Sequence, residues 1–434
     1  MFFFVSLRPW RSMRRRAALA LALMSVVPPL WSATPLSFEE AQRLAVARAP
    51  ALRARQAQTD AAREDAARAA ALPDPRLTLG LTNLPVTGAD AGDLRADDMT
   101  MQQVGVMQEF PAQAKRQARQ ALADRTVEQA QALTLAEGLA VRGATAEAWL
   151  ALWAAQREAV ALHAQREQSA LAARIAKARL ASGTGAASDA LAAQSAVLDL
   201  DNRIDEAEAA VEAARSGLAR WLDIDPDGLA VADAPPDLTA LPVDEATLLA
   251  SPDRQGPLLA WHARESLAEA DVAAAVAGKR PDWSVSAMYG RRERTPGGLP
   301  RSDMLSVEVS IGLPLFARNR QDHDVAARRA ELDAVAAEHE DARRAQLDAV
   351  RRALAEWHGL KRQIARKEQQ SLPLAHDRTQ VALAAYRGGG PLQPWLEARR
   401  DELDLHIEHA RHLGELGRTW AALAYLLSDQ ETRP

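Results

Sequence analysis

The sequence predicts a mainly α-helical chain with a membrane β-barrel portion, built from two copies of a module that joins a strand hairpin to a long helix. Three observations carry that expectation. Landmarks recur in the same order: Leu36 and Leu241, Pro50 and Pro257, Phe110 and Phe316, and Gly183 and Gly389 stand 205, 207, 206 and 206 residues apart. A period that long marks a duplicated domain, not a solenoid of short repeats. Four short segments alternate apolar with small or polar residues, the period of a half-buried strand. Finally, the 434 residues are 48% hydrophobic but only 4% aromatic, with alanine dominating the apolar share. A large globular core uses aromatic rings as volume, whereas small apolar side chains among charges suit long, closely packed helices.

Residues 1–33 read as an export signal. Arg14, Arg15 and Arg16 precede an apolar stretch from Ala17 to Leu30, and Trp31-Ser32-Ala33 offers a cleavage site. Met13 is an alternative start that gives a shorter signal. An uncleaved anchor is the competing reading, although the stretch is short for spanning a bilayer. With no cysteine in the sequence, there is no disulfide framework and no site for lipid on a mature N-terminal Cys. A lipoprotein is therefore not expected. The net charge of −5 gives no basic surplus for nucleic acid.

The first repeat is placed at residues 34–222. Its opening helix starts at Leu36-Ser37, with Ser37 as cap and Glu40 three residues on, and is expected to continue to Leu72. Pro73-Asp74-Pro75 stops it. Strands are expected at about 76–83, where Leu77, Leu79 and Leu81 alternate, and at about 100–110. A long helix follows over about 112–182, a rod of roughly 100 Å at 1.5 Å per residue. Leu135, Leu139, Ala146, Trp149, Trp153 and Val160 give it a heptad-like seam. Ser182-Gly183-Thr184-Gly185 breaks the rod, and a return helix covers about 188–222. An Asp-, Pro- and Gly-rich linker occupies 223–242.

The second repeat, 243–427, follows the same order after a helix broken near Pro252 to Pro257. Strands are expected at about 283–291 and 303–313. The second of these sets Leu305, Val307, Val309 and Ile311 against Ser306, Glu308 and Ser310. A rod over about 317–387 has the seam Leu347, Val350, Leu354, Trp357 and Ile364. Gly388-Gly389-Gly390 ends it, a return helix covers about 394–427, and residues 428–434 form a tail.

Four strands cannot close a barrel, and an open edge cannot be left in lipid. The chain must therefore associate. Two copies would give about eight strands with a filled interior, and three about twelve with an aqueous lumen. Phe110 and Phe316, at strand ends, suit the membrane interface.

The order of elements and the duplication set out above, with Leu36-Ser37-Phe38-Glu39-Glu40-Ala41 at the start of the first repeat, resemble the TolC family of outer-membrane efflux proteins across essentially the whole mature chain. Leu36-Ser37-Phe38-Glu39-Glu40-Ala41 with Ala49-Pro50-Ala51-Leu52 is similar to the family's N-terminal signature. Leu72-Pro73-Asp74-Pro75, Asn83-Leu84-Pro85, Met99-Thr100-Met101 and Gln108-Glu109-Phe110-Pro111 resemble the branch paired with heavy-metal exporters of the resistance-nodulation-division class. The resemblance implies a homotrimer with a twelve-stranded β-barrel in outer-membrane lipid and a periplasmic α-barrel, in a Gram-negative envelope. It implies an exit duct that docks with a periplasmic membrane-fusion adaptor and an inner-membrane pump, with heavy-metal cations as cargo. A duct for drugs or other organic compounds is the alternative within transport. A periplasmic coiled-coil adaptor without a pore is the alternative of another class; such adaptors have one helical hairpin, whereas this chain repeats its rods and strand hairpins.

An exit duct performs no covalent chemistry, and no nucleophile elbow, phosphate loop or zinc-ligand cluster appears in the sequence. No cofactor is expected. By resemblance the two helical breaks are the periplasmic tip, where the aperture closes and adaptor hairpins bind. Its candidate residues are Arg179, Gly183, Asp189, Arg387, Gly389 and Glu397. Three inward carboxylates from Asp189 or Glu397 would repel one another and attract cations; the alternative is simple stabilisation of helix N-termini. Pro394 stands where the family often has an acidic residue. His406, His409 and His412 sit three apart on a helix, a spacing that lets neighbouring pairs share a metal but strains a set of three. Solvated helical histidines are the other reading. Trp149, Trp153 and Trp357 are read as packing residues.

Overall fold

The computed structural model describes residues 35–427; the expected signal segment and the C-terminal tail lie outside the described residues. Ser37 caps α1 (Phe38–Arg48), its hydroxyl accepting from the Glu40 N–H at 3.2 Å. The opening helix is not continuous as expected. Ala49 has ψ of 114° and Pro50 opens a second helix, α2 (Pro50–Arg68). Proline has no N–H to donate and disfavours a helical residue before it, so the chain kinks there; α2 itself ends at Arg68, short of the expected Leu72.

The strands β1 (Arg76–Thr82), β2 (Met101–Phe110), β3 (Trp283–Arg291) and β4 (Met304–Ile311) form one antiparallel sheet in sequence order. The β2–β3 pairing joins the two repeats. Its register sets Val104 opposite Tyr289 and Val106 opposite Ala287, while the outer pairs add Leu79 and Leu77 on one side and Leu305 and Val307 on the other. One sheet face is therefore a continuous apolar band, and the opposite face carries Thr78, Gly105, Met288 and Ser306. Leu77, Leu79, Val106, Leu305, Val307, Val309 and Ile311 are all exposed. β1 and β4 each leave one edge unpaired within the chain.

Below the sheet, α3 (Gln113–Ala181) runs 69 residues, and α4 (Ala187–Leu222) returns along it. After a short helix α5 (Glu245–Ala250) and two 3₁₀ turns comes α6 (Trp261–Ala277). The second rod comprises α7 (Gln321–Arg366), a π-turn over Lys367–Ser371 and α8 (Leu372–Arg387), with α9 (Gln393–Ala424) returning. The π-turn sits directly before Pro373, which the sequence reading passed over. A proline inside a helix removes a hydrogen bond and crowds the preceding turn; the wider π-turn accommodates it without breaking the rod.

The main core lies midway along the rods, where Phe38, Leu150, Leu152, Leu218 and Leu222 pack with the tryptophans. The indoles also act as donors. Trp149 bonds the Leu36 carbonyl (3.1 Å), Trp357 that of Leu238 (2.9 Å), Trp420 that of Ala240 (2.8 Å), and Trp153 the Asp233 carboxylate (2.8 Å). Leu36 also bridges in parallel to Val231. The linker is thus a strap held against both rods. The seam on α3 is narrower than expected: Leu139, Ala146, Trp149 and Trp153 are buried, but Leu135 and Val160 are exposed. A straight helix drifts relative to a heptad, so both ends of a long seam rotate away from a neighbour packed at its middle. Among the described residues no helix is long and apolar enough to cross a membrane.

Where sheet meets rods, Phe110 stacks on Trp283 at 4.3 Å between centroids. Phe316 is not at a strand end as expected. β4 ends at Ile311, the Gly312 N–H makes a last in-register bond to the Asp282 carbonyl (2.8 Å), and Phe316 lies exposed before the second rod. Asp282 fastens this junction, accepting from the Ala112 N–H at 2.9 Å and from Lys115 Nζ at 2.7 Å. Burial pushes its carboxyl up, but the bonds from Lys115 and Ala112 and the charges of Lys115 and Arg119 outweigh it and hold the carboxyl below its ordinary range. A depressed folded value means that the stabilisation is present above the unfolded value of about 3.9 and is lost as pH falls through the folded one. Asp282→Asn should cost on the order of 1 kcal/mol at neutral pH, allowing for screening at a partly exposed site. Melting curves should show this loss vanishing as the wild type is acidified below about pH 4.

Candidate aperture and docking site at the paired hairpin turns

Both rods end in the same backbone motif although their sequences differ. After α3, Gly183 takes φ of 74°, its N–H bonding the Leu180 carbonyl (3.0 Å), while Thr184 N–H reaches the Arg179 carbonyl (2.9 Å). After α8, Gly389 takes φ of 98°, its N–H bonding the Tyr386 carbonyl (3.1 Å), while Gly390 N–H reaches the Ala385 carbonyl (3.0 Å). Each pair of bonds is a Schellman cap, and glycine occupies its left-handed position because a side chain there is strained. Ser182 and Thr184 add a hydroxyl pair at 2.8 Å in the first turn.

Beneath the turns, the two hairpins share a small core of Ala172, Ala176, Ala193, Tyr386, Leu392 and Trp395. Arg179 ties one hairpin to the other. Its guanidinium lies 4.7 Å from the Tyr386 ring centroid, and Nη1 donates to the Tyr386 carbonyl at 3.3 Å. Arg387 is exposed beside Gly388. Asp189 is half-buried in the first turn of α4, where a carboxylate faces free helix N–H groups. Glu397 is exposed on α9 and accepts from Gln393 Nε2 at 3.0 Å. It borders a groove between α4 and α9 that also holds Asp199, Arg203 and Arg400.

Deeper along α9 lies an ionic cluster that the sequence reading did not find. Arg399 and Glu402 are 9% and 2% exposed and pair at 2.8 Å. Glu402 also meets His376 Nδ1 at 3.0 Å, and Arg399 reaches Gln168 Oε1 at 2.7 Å. Burial raises the Glu402 carboxyl, but hydrogen bonds from Thr379, His376 and Arg399 and the Arg399 charge more than compensate, and it lies below its ordinary range. The cluster links α9 to α8 and α3. The i,i+3 spacing of Arg399 and Glu402 was visible in the sequence; their burial and partners on distant helices were not.

The three histidines of α9 do not converge on a shared ion among the described residues. His409 pairs with Glu368 at 3.1 Å, His412 is buried with Nε2 3.8 Å from Glu408, and His406 is half-buried. Burial lowers the proton affinity of His406 and His412. A step of three residues turns each ring away from the last, so the trio spreads across the interface with the second rod.

Two rods, two strand hairpins in one sheet, and glycine turns meeting at the far end define the architecture of TolC-like outer-membrane channels. Residues 252–428 match the family model for outer membrane efflux proteins. A membrane protein from Pseudomonas aeruginosa superposes with a TM-score of 0.76 at 17% identity, covering 90% of this chain and 92% of its own. The outer-membrane channel OprN gives 0.73 at 20% identity, covering 89% of each chain. CusC, described as forming a transmembrane channel, gives 0.71 at 14% identity, covering 90% of this chain and 92% of its own. No curated protein matches the chain in sequence. At these identities the likeness is one of fold, shared by CusC and OprN alike.

Proposed function

We propose that the chain is the outer-membrane exit duct of a tripartite efflux system, working as a homotrimer. The observation that carries this reading is the four-stranded sheet, with one apolar face and two free edges, set on rods of about 100 Å. Three copies pair β4 of one with β1 of the next and close twelve strands, leaving no edge in lipid. Phe110, Trp283 and Phe316 then lie at the periplasmic interface of the membrane. Exposed Leu135, Leu191, Leu198, Leu374 and Val381 on the helices gain neighbours when the rods pack laterally into a tube.

In this assembly Arg179, Gly183, Asp189, Arg387, Gly389 and Glu397 form the aperture and the adaptor-docking tip, and an inner-membrane pump of the resistance-nodulation-division class supplies the cargo. Heavy-metal cations are the proposed cargo, supported by the junction motifs of β1 and β2; organic compounds are the alternative. Purified in detergent, the protein is expected to run at three times its chain mass and to conduct in planar bilayers. A monomer that needs no detergent would overturn the duct. Deleting the gene should sensitise cells to divalent metals, and sensitivity to organic toxicants alone would assign the other cargo.

A further inference from the structure

We propose that His262, Glu265 and His339 form a binding site for a divalent transition-metal cation of the zinc type, with Asp253 orienting His339. His262 and Glu265 stand one turn apart on one face of α6, and His339 meets them from α7. One donor atom from each of the three lies within 4.8 Å of the others. His339 Nδ1 is 2.7 Å from Glu265 Oε1, and His262 Nδ1 is 3.6 Å from Glu265 Oε2. Donors around a tetrahedral zinc ion stand about 3.3 Å apart, given metal bonds of about 2.0–2.1 Å. These distances bracket that value, so small rotations of the side chains admit the ion. Two imidazoles and one carboxylate make a zinc ligand set that leaves a fourth position for water or an exchanging ligand.

The surroundings are arranged as around metal-bound histidines. Asp253 Oδ1 lies 3.3 Å from His339 Nε2, the nitrogen facing away from Glu265. A carboxylate there accepts a hydrogen bond from Nε2–H, which fixes the tautomer that offers the Nδ1 lone pair to the ion. Arg343 Nε steadies the other oxygen of Asp253 at 3.4 Å. Trp261 stacks flat on His339, at 5.4 Å between centroids and 5° between planes, which fixes the ring. The nearby cation Arg264 is directed elsewhere, to the Trp261 face and to Glu338 at 2.6 Å. His339 is buried, whereas His262 is exposed, so ions enter from the His262 side.

The fold itself does not require this set. At the offset of 206–207 residues that relates the copies, the first repeat has Arg55, Gln58 and Leu133 at the positions of His262, Glu265 and His339. There Arg55 bonds Gln58 Oε1 at 3.2 Å and Glu137 Oε2 at 3.4 Å. A permanent cation thus stands in one copy where the other gathers metal ligands.

The site stands on its own geometry and does not depend on the cargo of the duct. The test is calorimetric titration of the purified, chelator-stripped full-length protein in detergent with Zn²⁺, paired with Co²⁺ absorption to read coordination geometry. One ion per chain and a tetrahedral Co²⁺ spectrum are expected. His262→Ala, at an exposed position whose ring meets α7 only edge-on at His339, should weaken binding at least tenfold. Asp253→Asn should weaken it by about 10–100-fold, the range for loss of an outer-shell partner. His409→Ala should leave it unchanged. Absence of Zn²⁺ binding, or equal binding by the wild type and His262→Ala, would overturn the proposal. Either result leaves trimer formation and conductance untouched, so the duct reading stands or falls separately.

Discussion

Replacing Arg399 with alanine should destabilise the folded protein by about 3–5 kcal/mol, because it strands a buried carboxylate. Glu402 is 2% exposed and sits between α8 and α9, where water cannot take over from the guanidinium. His376 and Thr379 still face it, and they keep the cost toward the lower half of that range. Thermal unfolding in detergent measures the effect. The double replacement Arg399→Met with Glu402→Leu removes both charges and should recover most of the loss, since an apolar pair of similar volume avoids the desolvation penalty altogether. A single variant that melts with the wild type would mean that Glu402 takes up a proton at little cost. That result would contradict the depressed carboxyl described above.

The depressed carboxyl also fixes the direction of the pH response. Stability from Glu402 is complete above its unfolded value of about 4.3 and disappears as pH falls through the lower folded value. Arg399→Ala should therefore differ most from the wild type near neutrality and converge with it in acid.

Local pattern carried much of the fold, and distant pairing carried what was missed. The alternation of Leu77, Leu79 and Leu81, and of Leu305, Val307, Val309 and Ile311, is a property of adjacent residues, so the strands are visible without knowing their partners. Ser37 with Glu40 is likewise local. Pro50 and Pro373 were equally visible, but their consequences differ. One splits a helix and the other is absorbed in a π-turn, and surrounding packing decides which. The tie of Arg179 to Tyr386 and the gathering of His262 and His339 join residues 207 and 77 positions apart. No periodicity reports such pairs.

The Pro- and Gln-containing motifs of the first strand hairpin have a structural role. Gln108 Nε2 bonds the Pro73 carbonyl at 2.8 Å, so Leu72-Pro73-Asp74-Pro75 and Gln108-Glu109-Phe110-Pro111 are two halves of one clasp at the base of the hairpin. At its other end the Thr100 hydroxyl bonds the Asn83 carbonyl at 2.8 Å, with Asn83 in the left-handed region at φ of 57°. Both pairs close β1 on β2. Their chemistry is that of a hairpin lock, so they support the proposed cargo only through the resemblance they carry.

In the proposed duct, removing the Arg179 tie should favour the open aperture. The guanidinium contributes a cation–π contact and a hydrogen bond to Tyr386, together about 1–2 kcal/mol at a partly exposed site. The two turns are held by their own backbone bonds, and the Arg179–Tyr386 contact joins one hairpin to the other. In the proposed trimer the tie occurs three times. Loss of about 1 kcal/mol at each, in a concerted opening, shifts the closed–open balance by about 3 kcal/mol, or roughly a hundredfold. Arg179→Ala should raise the open probability of single channels in planar bilayers accordingly, while the trimer and its melting temperature stay close to wild type. Arg179→Lys retains a charge over the ring but lacks the planar fork, and should fall between the two. Tyr386→Ala would remove the same contact but also empties the small core beneath the turns, so arginine is the cleaner probe. Unchanged gating in Arg179→Ala would move the closing contact away from this pair, to the carboxylates of Asp189 and Glu397.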